Sequence, residues 1–425
     1  MERVALLFSG QGSQYVGMGK NFFTQFPKAR AVYEEADDIL KFGLSKLCFE
    51  GKMEDLTRTE NAQPAILVTS IAMLKVYLQE CGILPEQSAG HSLGEISALT
   101  AAGAIDFSDA LKIVRQRGRL MQEAGTGSMA AVKGIDVSII ENECQKNSTP
   151  EQWVGVSNYN SPDQTVISGA PEGIAKIAEI LTQYGANLIS LKVSAAFHSP
   201  MMQKVAEKMT AELGKYQFKE FNWPVISNVT AMPYPSCNQL AQNLISQITS
   251  PVRWKESMNY LQRQGITIAI EIGPQVVLRN LMKRNVPQIA AYAYDQPTDF
   301  LTLQKILAPK KPEASQPPEF VHTVVTKCIQ IAVCTKNRNW DNDAYQKGVI
   351  EPYRQILQMQ DGLEKDGKEP TFQQMSAALQ MLRSVFVTKL TPVEEQIQRF
   401  NEVFTMTGTR ELFSDFKMPT ISEAS

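Results

Sequence analysis

The chain has 425 residues and a formal net charge of −2, and it lacks a basic block of the kind that follows a nucleic-acid backbone. Its length accommodates two or three domains around a large core. No apolar stretch reaches the roughly 18 to 20 residues that a membrane span needs, and residues 1–8 are too short for a signal peptide. The composition therefore predicts a soluble, cytoplasmic protein that binds neither nucleic acid nor membrane.

Strand-like and helical segments alternate in the first part of the chain, and the same alternation is found again after residue 200. Strands are predicted at 4–8, 225–229 and 268–271, and helices at 28–41, 63–79, 108–123, 201–215 and 254–264. The strand at 268–271 is predicted to be the last one. Alternation of this kind favours an α/β fold with a parallel sheet. We expect a large domain, similar to that of α/β hydrolases, built from residues 1–126 and 200–307.

Between residues 127 and 199 the pattern changes to short strands and two helices. The strands are predicted at 129–133, 153–157, 164–168 and 187–193, and the helices at 137–145 and 171–184. The order strand-helix-strand-strand-helix-strand is typical of the ferredoxin-like arrangement. We therefore expect residues 127–199 to form a ferredoxin-like subdomain inserted into the large domain.

Residues 308–318 are rich in proline and polar side chains, the composition of an extended linker. Beyond them, helices are predicted at 319–336, 342–365, 371–389 and 392–404. Core candidates there are aromatic: Phe320, Trp340, Tyr345, Tyr353, Phe372, Phe386 and Phe400. The sequence predicts a small helical module over residues 319–425.

The six cysteines are scattered, without the short paired spacings of a zinc site, so we expect free thiols. The histidines are few as well: His91, His198 and His322. A histidine-rich metal site is therefore not expected, and few residues remain as candidates for a catalytic base.

At residues 90–94 the sequence reads Gly-His-Ser-Leu-Gly. A Gly-x-Ser-x-Gly motif places its serine on a sharp strand-to-helix turn, where small neighbours let the backbone bend. By itself the motif is equally compatible with a nucleophile at Ser92 and with a glycine-flanked turn. If Ser92 is a nucleophile, the backbone N–H of Leu93 is expected to hold the oxyanion.

Within the helix at 108–123, Val114, Arg117 and Met121 share one face, whereas Arg115 and Arg119 project elsewhere. Arg117 is therefore aimed at the apolar side. A charge there must be paired, and a glutamate within the fold is one partner that would meet this need.

Several short motifs follow one another along the chain in a characteristic order and spacing. They are Leu6–Gln14, Asn61–Ala65, Gly90–Glu95, Arg117 with Gly118, Ser157–Asn160, Ala196–His198 and Glu271–Pro274. Together they resemble the malonyl-CoA:acyl-carrier-protein transacylase family, from residue 1 to roughly residue 307. The tail resembles nothing in the common single-domain enzymes.

The resemblance implies that Ser92 is the nucleophile and His198 its general base. Without it, a lone histidine after Ala195, Ala196 and Phe197 would be interpreted as a core residue. In the family a backbone carbonyl orients the histidine, and this carbonyl would fall at Ser250. The dyad then needs no carboxylate as a third member.

The resemblance also implies how the acyl group is selected. Arg117 would grip the free carboxylate of malonate with a two-pronged contact that lysine cannot match. Phe197 would fill the space that a C2 methyl group needs, which favours malonyl over methylmalonyl.

The remaining implied site residues are Gln11, Gln63, Asn160 and His91. The backbone N–H of Gln11 would be the second oxyanion donor, and Gln63 and Asn160 would line the pocket. His91, next to the serine across a tight turn, would point away from it and serve a structural or pocket-lining role.

The function implied is transfer of malonyl from malonyl-CoA to Ser92 and then to the phosphopantetheine thiol of an acyl carrier protein, with no bound cofactor. The long tail favours a discrete enzyme that serves a polyketide or hybrid peptide–polyketide synthase in trans, so the expected partner is an acyl carrier protein or synthase. Alternatives are a proofreading acyl hydrolase, whose relatives generally lack the arginine, an α/β-hydrolase esterase, and a carrier-protein docking or scaffold protein.

Overall fold

The computed structural model describes residues 2–307 and 323–420. They belong to two units, divided between Lys310 and Lys311. The predicted linker at 308–318 lies outside the described residues, and the predicted domain boundaries stay predictions.

The first unit contains a parallel sheet and an antiparallel sheet, flanked by helices. Its described strands are β1 (Val4–Phe8), β2 (Gln87–Gly90), β3 (Ser128–Lys133), β4 (Val154–Ser161), β5 (Gln164–Gly169), β6 (Asn187–Ser190), β7 (Val225–Ile226), β8 (Ile268–Ile272) and β9 (Ala290–Ala293). Its described helices are α1 (Lys20–Gln25), α2 (Pro27–Leu40), α3 (Leu44–Glu50), α4 (Met53–Thr57), α5 (Thr59–Glu80), α6 (Leu93–Ala101), α7 (Phe107–Glu123), α8 (Val137–Asn147), α9 (Pro171–Gln183), α10 (Gln203–Leu213), α11 (Leu240–Thr249), α12 (Trp254–Arg263), α13 (Val277–Asn285) and α14 (Pro297–Leu307).

The large sheet has the strand order β7-β2-β1-β8-β9, and all its neighbours pair in parallel. Every residue of β1 is buried. Val4, Leu6 and Phe8 belong to one core cluster, and Ala5 and Leu7 belong to another. Because successive side chains of a strand point to opposite faces, these clusters are the two covered faces of the sheet. The carboxyl ends of its central strands are where loops from different parts of the chain meet.

The small sheet has the order β4-β5-β3-β6 with antiparallel pairs. Its elements run β3-α8-β4-β5-α9-β6, the predicted ferredoxin-like order. Apolar residues of both helices, such as Ile140 and Ile177, form a core with Val132 and Ile167 of the sheet. The predicted ferredoxin-like subdomain is confirmed.

Residues 323–420 form the second unit, which is helical as predicted. Its helices are α15 (Val324–Cys334), α16 (Asn342–Tyr345), α17 (Glu351–Asp366), α18 (Phe372–Thr388) and α19 (Val393–Thr407), with a π-helical segment at Gln346–Ile350 between α16 and α17. The unit has a core of its own, in which the rings of Phe386 and Phe400 meet edge to face with centroids 5.3 Å apart.

Several elements of the first unit differ from the sequence predictions or were not predicted, among them β9 and α11. The strand at 268–271 is not the last, because β9 pairs with β8 in parallel. Its sequence, Ala-Ala-Tyr-Ala, is rich in alanine, which has low strand propensity. Helix α11 was not predicted, although Leu240, Leu244 and Ile248 recur at a spacing of four and are buried.

Candidate active site

Ser92 lies on the turn between β2 and α6. Its φ of 54° and ψ of −105° are dihedrals that residues with a side chain rarely adopt. Close packing around the turn requires its glycines, since a Cβ atom on Gly90 would lie 1.8 Å from the carbonyl oxygen of Gly94. A Cβ on Gly94 would lie 2.0 Å from the carbonyl oxygen of Phe8. The strained turn therefore presents the Ser92 hydroxyl at the carboxyl edge of the large sheet.

His198 lies beside this hydroxyl, although 106 residues separate the two in sequence. Its Nε2 is 2.7 Å from Ser92 Oγ. Its Nδ1 is 2.8 Å from the carbonyl oxygen of Gln247, which can only accept a hydrogen bond. Nδ1 therefore carries the proton, and Nε2 is left to accept a hydrogen bond from the serine hydroxyl.

The carbonyl that orients His198 differs from the predicted one. The sequence placed it at Ser250, whereas the hydrogen bond goes to Gln247, in the last turn of α11. Carbonyls in the last turn of a helix have no intrahelical donor, so this oxygen is available. The Ser250 carbonyl makes a smaller contribution, and both carbonyls raise the pKa of His198.

The net shift of the His198 pKa is nevertheless downward, to about 3. Burial is the main cause, and the nearby positive charge of Arg117 lowers the pKa further. The imidazole is consequently neutral at neutral pH. A neutral imidazole that accepts a hydrogen bond from a serine hydroxyl can take up its proton.

Arg117 lies on α7 and is 2% exposed. Its Nη2 donates hydrogen bonds to Ser92 Oγ (3.1 Å) and to Gln247 Oε1 (3.0 Å). Arg119 of the same helix is exposed and pairs with Glu123, and Arg115 pairs with Glu60. The helix thus directs its middle arginine inward, to the serine.

Two buried amides hold the backbone of Ser92. Asn228 Oδ1 accepts a hydrogen bond from the Ser92 N–H (2.7 Å), and Asn228 Nδ2 donates one to the carbonyl oxygen of Gly90 (2.7 Å). Gln247 Nε2 donates to the carbonyl oxygen of Ser92 (2.9 Å). Sequence reasoning missed Asn228 and Gln247. The one available signal was the position of Gln247 on the apolar face of α11, beside Leu244 and Ile248.

A cavity of 490 Å³ opens beside the serine. Six predicted site residues line it: Gln11, His91, Ser92, Asn160, Phe197 and His198. Lys192 also lines it. Gln63 and Arg117 are buried and do not line this cavity. Arg117 nevertheless contacts Ser92 Oγ, which does line it.

The backbone N–H groups of Gln11 and Leu93 were predicted to hold an oxyanion. Leu93 is the first residue of α6, where N–H groups have no intrahelical acceptor and the helix dipole favours negative charge. The side-chain Nε2 of Gln11 donates to Thr59 Oγ1 (3.3 Å), while the residue itself lines the cavity. These positions are compatible with the predicted role, which stays a prediction.

The remaining predicted residues surround the dyad. His91 Nε2 donates a hydrogen bond to Asn160 Oδ1 (2.8 Å), and the His91 ring packs near that of Trp254, with centroids 5.4 Å apart. Gln63 Nε2 contacts Met121 Sδ (3.4 Å), and its Oε1 has no partner within the described residues. The His91 ring is therefore held by Asn160 and Trp254, and its structural or pocket-lining role stays a prediction, whereas Gln63 is fully buried.

A sequence profile of the acyl transferase domain matches residues 5–306. The chain belongs to the acyl transferase family. One malonyl CoA-acyl carrier protein transacylase of Bacillus subtilis is 38% identical over 401 residues, which is 94% of this chain and 99% of that protein. The enzyme of that name from Escherichia coli K12 is 38% identical over 302 residues, 70% of this chain and 97% of its own length.

Solved structures agree with this assignment. A malonyl transacylase in complex with its type II polyketide synthase acyl carrier protein has a TM-score of 0.70 and 36% identity. The similarity covers 72% of this acyl transferase and all of that chain. The transacylase from Clostridium perfringens has a TM-score of 0.69 and 36% identity, and 97% of its chain is covered. The predicted family and the predicted α/β fold are confirmed.

Most of these relatives match only part of this acyl transferase. The E. coli and C. perfringens proteins match 70% and 72% of it, whereas the first B. subtilis protein matches 94%. That relative therefore shares sequence with much of the helical unit as well. Within the described residues, no helix is long and apolar enough to cross a membrane, and no three histidine, cysteine or acidic residues are grouped as metal ligands.

Proposed function

We propose that this acyl transferase moves malonyl from malonyl-CoA to the phosphopantetheine thiol of an acyl carrier protein through an ester on Ser92. The observation that carries the proposal is the 3.1 Å contact between Arg117 Nη2 and Ser92 Oγ. In a malonyl thioester the free carboxylate is one methylene from the reacting carbonyl. A buried guanidinium beside the nucleophile is thus placed to pair with that carboxylate while the carbonyl meets the serine.

In the loading step His198 Nε2 takes the proton of Ser92 Oγ, which attacks the thioester carbonyl of malonyl-CoA. The N–H groups of Gln11 and Leu93 hold the oxyanion. The intermediate collapses, the carbon–sulfur bond breaks, and the coenzyme A sulfur leaves with the proton from His198. The product is a malonyl ester of Ser92.

The transfer step repeats this chemistry with a different nucleophile. The carrier-protein thiol gives its proton to His198 and attacks the ester carbonyl, and Ser92 Oγ leaves with that proton. The bonds formed and broken balance without an oxidant, a metal or a prosthetic group. Phe197, which lines the cavity and is 7% exposed, limits the room at the malonyl C2 atom.

Support for an assembly-line setting comes from one similarity, to the malonyl transacylase solved in complex with its type II polyketide synthase acyl carrier protein. We infer that the carrier protein served here belongs to a polyketide or hybrid peptide–polyketide synthase.

Intact-mass spectrometry tests the proposal. The protein is mixed separately with malonyl-CoA, acetyl-CoA and methylmalonyl-CoA, and then with a phosphopantetheinylated carrier protein. We expect strong labelling by malonyl alone and loss of the label when the carrier protein is added. Rapid hydrolysis of acyl groups from a carrier protein, without accumulation of the ester, would instead indicate a proofreading hydrolase.

A further inference from the structure

The side chain of Gln247 lies between an acid and a base that do not touch each other. Gln247 is fully buried, and its Nε2 donates a hydrogen bond to Glu95 Oε2 (2.6 Å). Its Oε1 accepts one from Arg117 Nη2 (3.0 Å). The ion pairs found in residues 2–307 and 323–420 do not include one between Arg117 and a carboxylate. The amide is therefore the physical link between the Glu95 carboxylate and the Arg117 guanidinium.

The two charges fix the orientation of this amide. A carboxylate only accepts hydrogen bonds, and a guanidinium only donates them. Rotating the amide by half a turn would place its oxygen against the carboxylate and its NH₂ against the guanidinium, and both contacts would be repulsive. Glu95 therefore determines which end of Gln247 faces Arg117. The same Nη2 of Arg117 contacts Gln247 Oε1 and Ser92 Oγ.

Glu95 is itself held in place. It is fully buried on α6, three residues after Ser92. Tyr234 Oη donates a hydrogen bond to its Oε1 (2.5 Å), and the N–H of Asn228 donates one to its Oε2 (3.1 Å). It does not line the cavity. Its carboxylate is therefore neither exposed to solvent nor part of the cavity in which the acyl group would react.

Burial makes the charge of Arg117 costly unless a negative charge compensates it. Burial lowers the pKa of Arg117 to about 10, and the Glu95 charge opposes this shift. Burial likewise raises the pKa of Glu95 to about 7, against the effects of its hydrogen bonds and of Arg117. Each group makes the ionised form of the other less costly.

We propose that Glu95 is a positioning residue that compensates the charge of Arg117 while the site holds no acyl group, and that aligns the guanidinium through Gln247 for the carboxylate of an incoming acyl group. The proposal rests on the function inferred above, because the incoming group is taken to be malonyl. In Glu95→Gln, the new side chain has nearly the same shape and can still accept a hydrogen bond from Gln247. The charge of Arg117 then lacks compensation until a malonyl group supplies it.

The first test compares melting temperatures of the full-length protein before and after malonyl loading, with loading confirmed by intact mass. We expect free Glu95→Gln to melt below the wild-type protein. Malonyl loading should then raise its melting temperature by at least about 2 °C more than it raises that of the wild type. An equal or smaller gain would overturn the proposal.

Tyr234→Phe is the matched control, because it removes one hydrogen bond to Glu95 and keeps the carboxyl group, which is ionised when the melting temperatures are measured above its raised pKa. We expect it to lower the melting temperature of the free protein without enlarging the gain from malonyl loading. If Glu95 were only a structural hydrogen-bond acceptor, the two variants would behave alike, and the proposal would fail.

A double-mutant cycle needs no substrate. The unfolding of the wild type, Glu95→Gln, Arg117→Gln and the double variant is measured in denaturant. Because the double variant buries neither charge, we expect it to be at least as stable as Glu95→Gln alone. Additive losses would overturn the proposal. If Glu95→Gln is insoluble, the double variant should be recovered in solution, and an equally insoluble double variant would count against it.

The two tests separate this proposal from the proposed function. If the wild-type protein takes no malonyl from malonyl-CoA, the proposed function fails. The cycle still reports whether Glu95 and Arg117 are coupled. If malonyl loads normally and the cycle is additive, the positioning role of Glu95 fails alone.

Discussion

Pro251 leaves the main-chain carbonyl of Gln247 without a helical partner. In a continued helix this carbonyl would accept from the N–H of residue 251, and proline has none. A residue before proline is also pushed out of the helical region, and Ser250 has an extended φ of −117° and ψ of 149°. Helix α11 therefore ends where its last turn meets His198, and the Gln247 carbonyl accepts the hydrogen bond from Nδ1.

Ser92→Ala should abolish labelling by malonyl-CoA in intact-mass spectra. The reason is that Ser92, alone among residues 2–307 and 323–420, combines the strained turn with the 2.7 Å contact to His198 Nε2. Ser97→Ala is the control, since Ser97 is a buried serine on α6, the helix that follows Ser92, and its Oγ has no partner within the described residues. It should label like the wild type. A label that persists on Ser92→Ala would show a different nucleophile.

His198→Ala should slow both malonyl loading and transfer by roughly 10²- to 10⁴-fold, the usual cost of losing a general base. Single-turnover loading followed by quenched mass spectrometry measures the first step. Transfer to a carrier protein measures the second. A loss confined to one of the two steps would contradict a shared base.

The pH dependence of loading reports the state of His198. As the pH falls, the base is lost only when the imidazole is protonated, and its pKa lies at about 3 rather than near 6.5. We expect His198 to cause no loss of rate between pH 8 and pH 5. Burial raises the pKa of Glu95 to about 7, so this carboxyl group titrates inside the same range. The loading rate of Glu95→Gln is therefore measured over the same pH range, which separates the effect of Glu95 from that of His198. A loss of rate centred near pH 6.5 in both proteins would refute the prediction.

Arg117→Ala should reduce malonyl loading relative to acetyl loading. A charge-assisted hydrogen bond contributes roughly 1.5–3 kcal/mol, which corresponds to about 10- to 150-fold in selectivity. Competition between malonyl-CoA and acetyl-CoA, read by intact mass, gives the ratio. Arg119→Ala on the exposed face of α7 is the control and should leave the ratio unchanged. Equal losses for both acyl groups would make Arg117 a structural residue.

Phe197→Ser should admit methylmalonyl. The Phe197 ring lines the cavity next to His198, and its removal frees space for a methyl group at C2. Labelling by methylmalonyl-CoA relative to malonyl-CoA should rise. An unchanged ratio would show that other residues of the cavity set this preference.

A protein truncated after Ala308 should fold and load malonyl onto Ser92. The acyl transferase domain ends by residue 306, and the helical unit packs Phe386, Phe400 and Phe404 into a core of its own. We expect normal self-loading and slower transfer to the cognate carrier protein if the helical unit selects partners. A sharp fall in melting temperature or loss of solubility would indicate that the unit stabilises the enzyme instead.

Local patterns were sufficient to predict much of the fold. Strand β1 lies at the predicted residues, and α7 begins at Phe107, one residue before the predicted start. Both segments have strong periodicity, which depends only on neighbours in sequence. By contrast, β9 is short and alanine-rich, and its strand conformation depends on pairing with β8. Propensity cannot reveal such a pairing.

The sequence by itself determined the family, the strand-to-helix turn that carries Ser92, and the inward face of Arg117, because motifs and helical spacing are local properties of the chain. Only the tertiary structure decided which further groups hold the serine, His198 and Arg117 in place. The Gln247 carbonyl and amide, Asn228 and the buried Glu95 come from separate segments, brought together where parallel strands end. Hydrogen bonds between such segments form only where donor and acceptor lie about 3 Å apart, and that distance follows from how the sheet and helices pack.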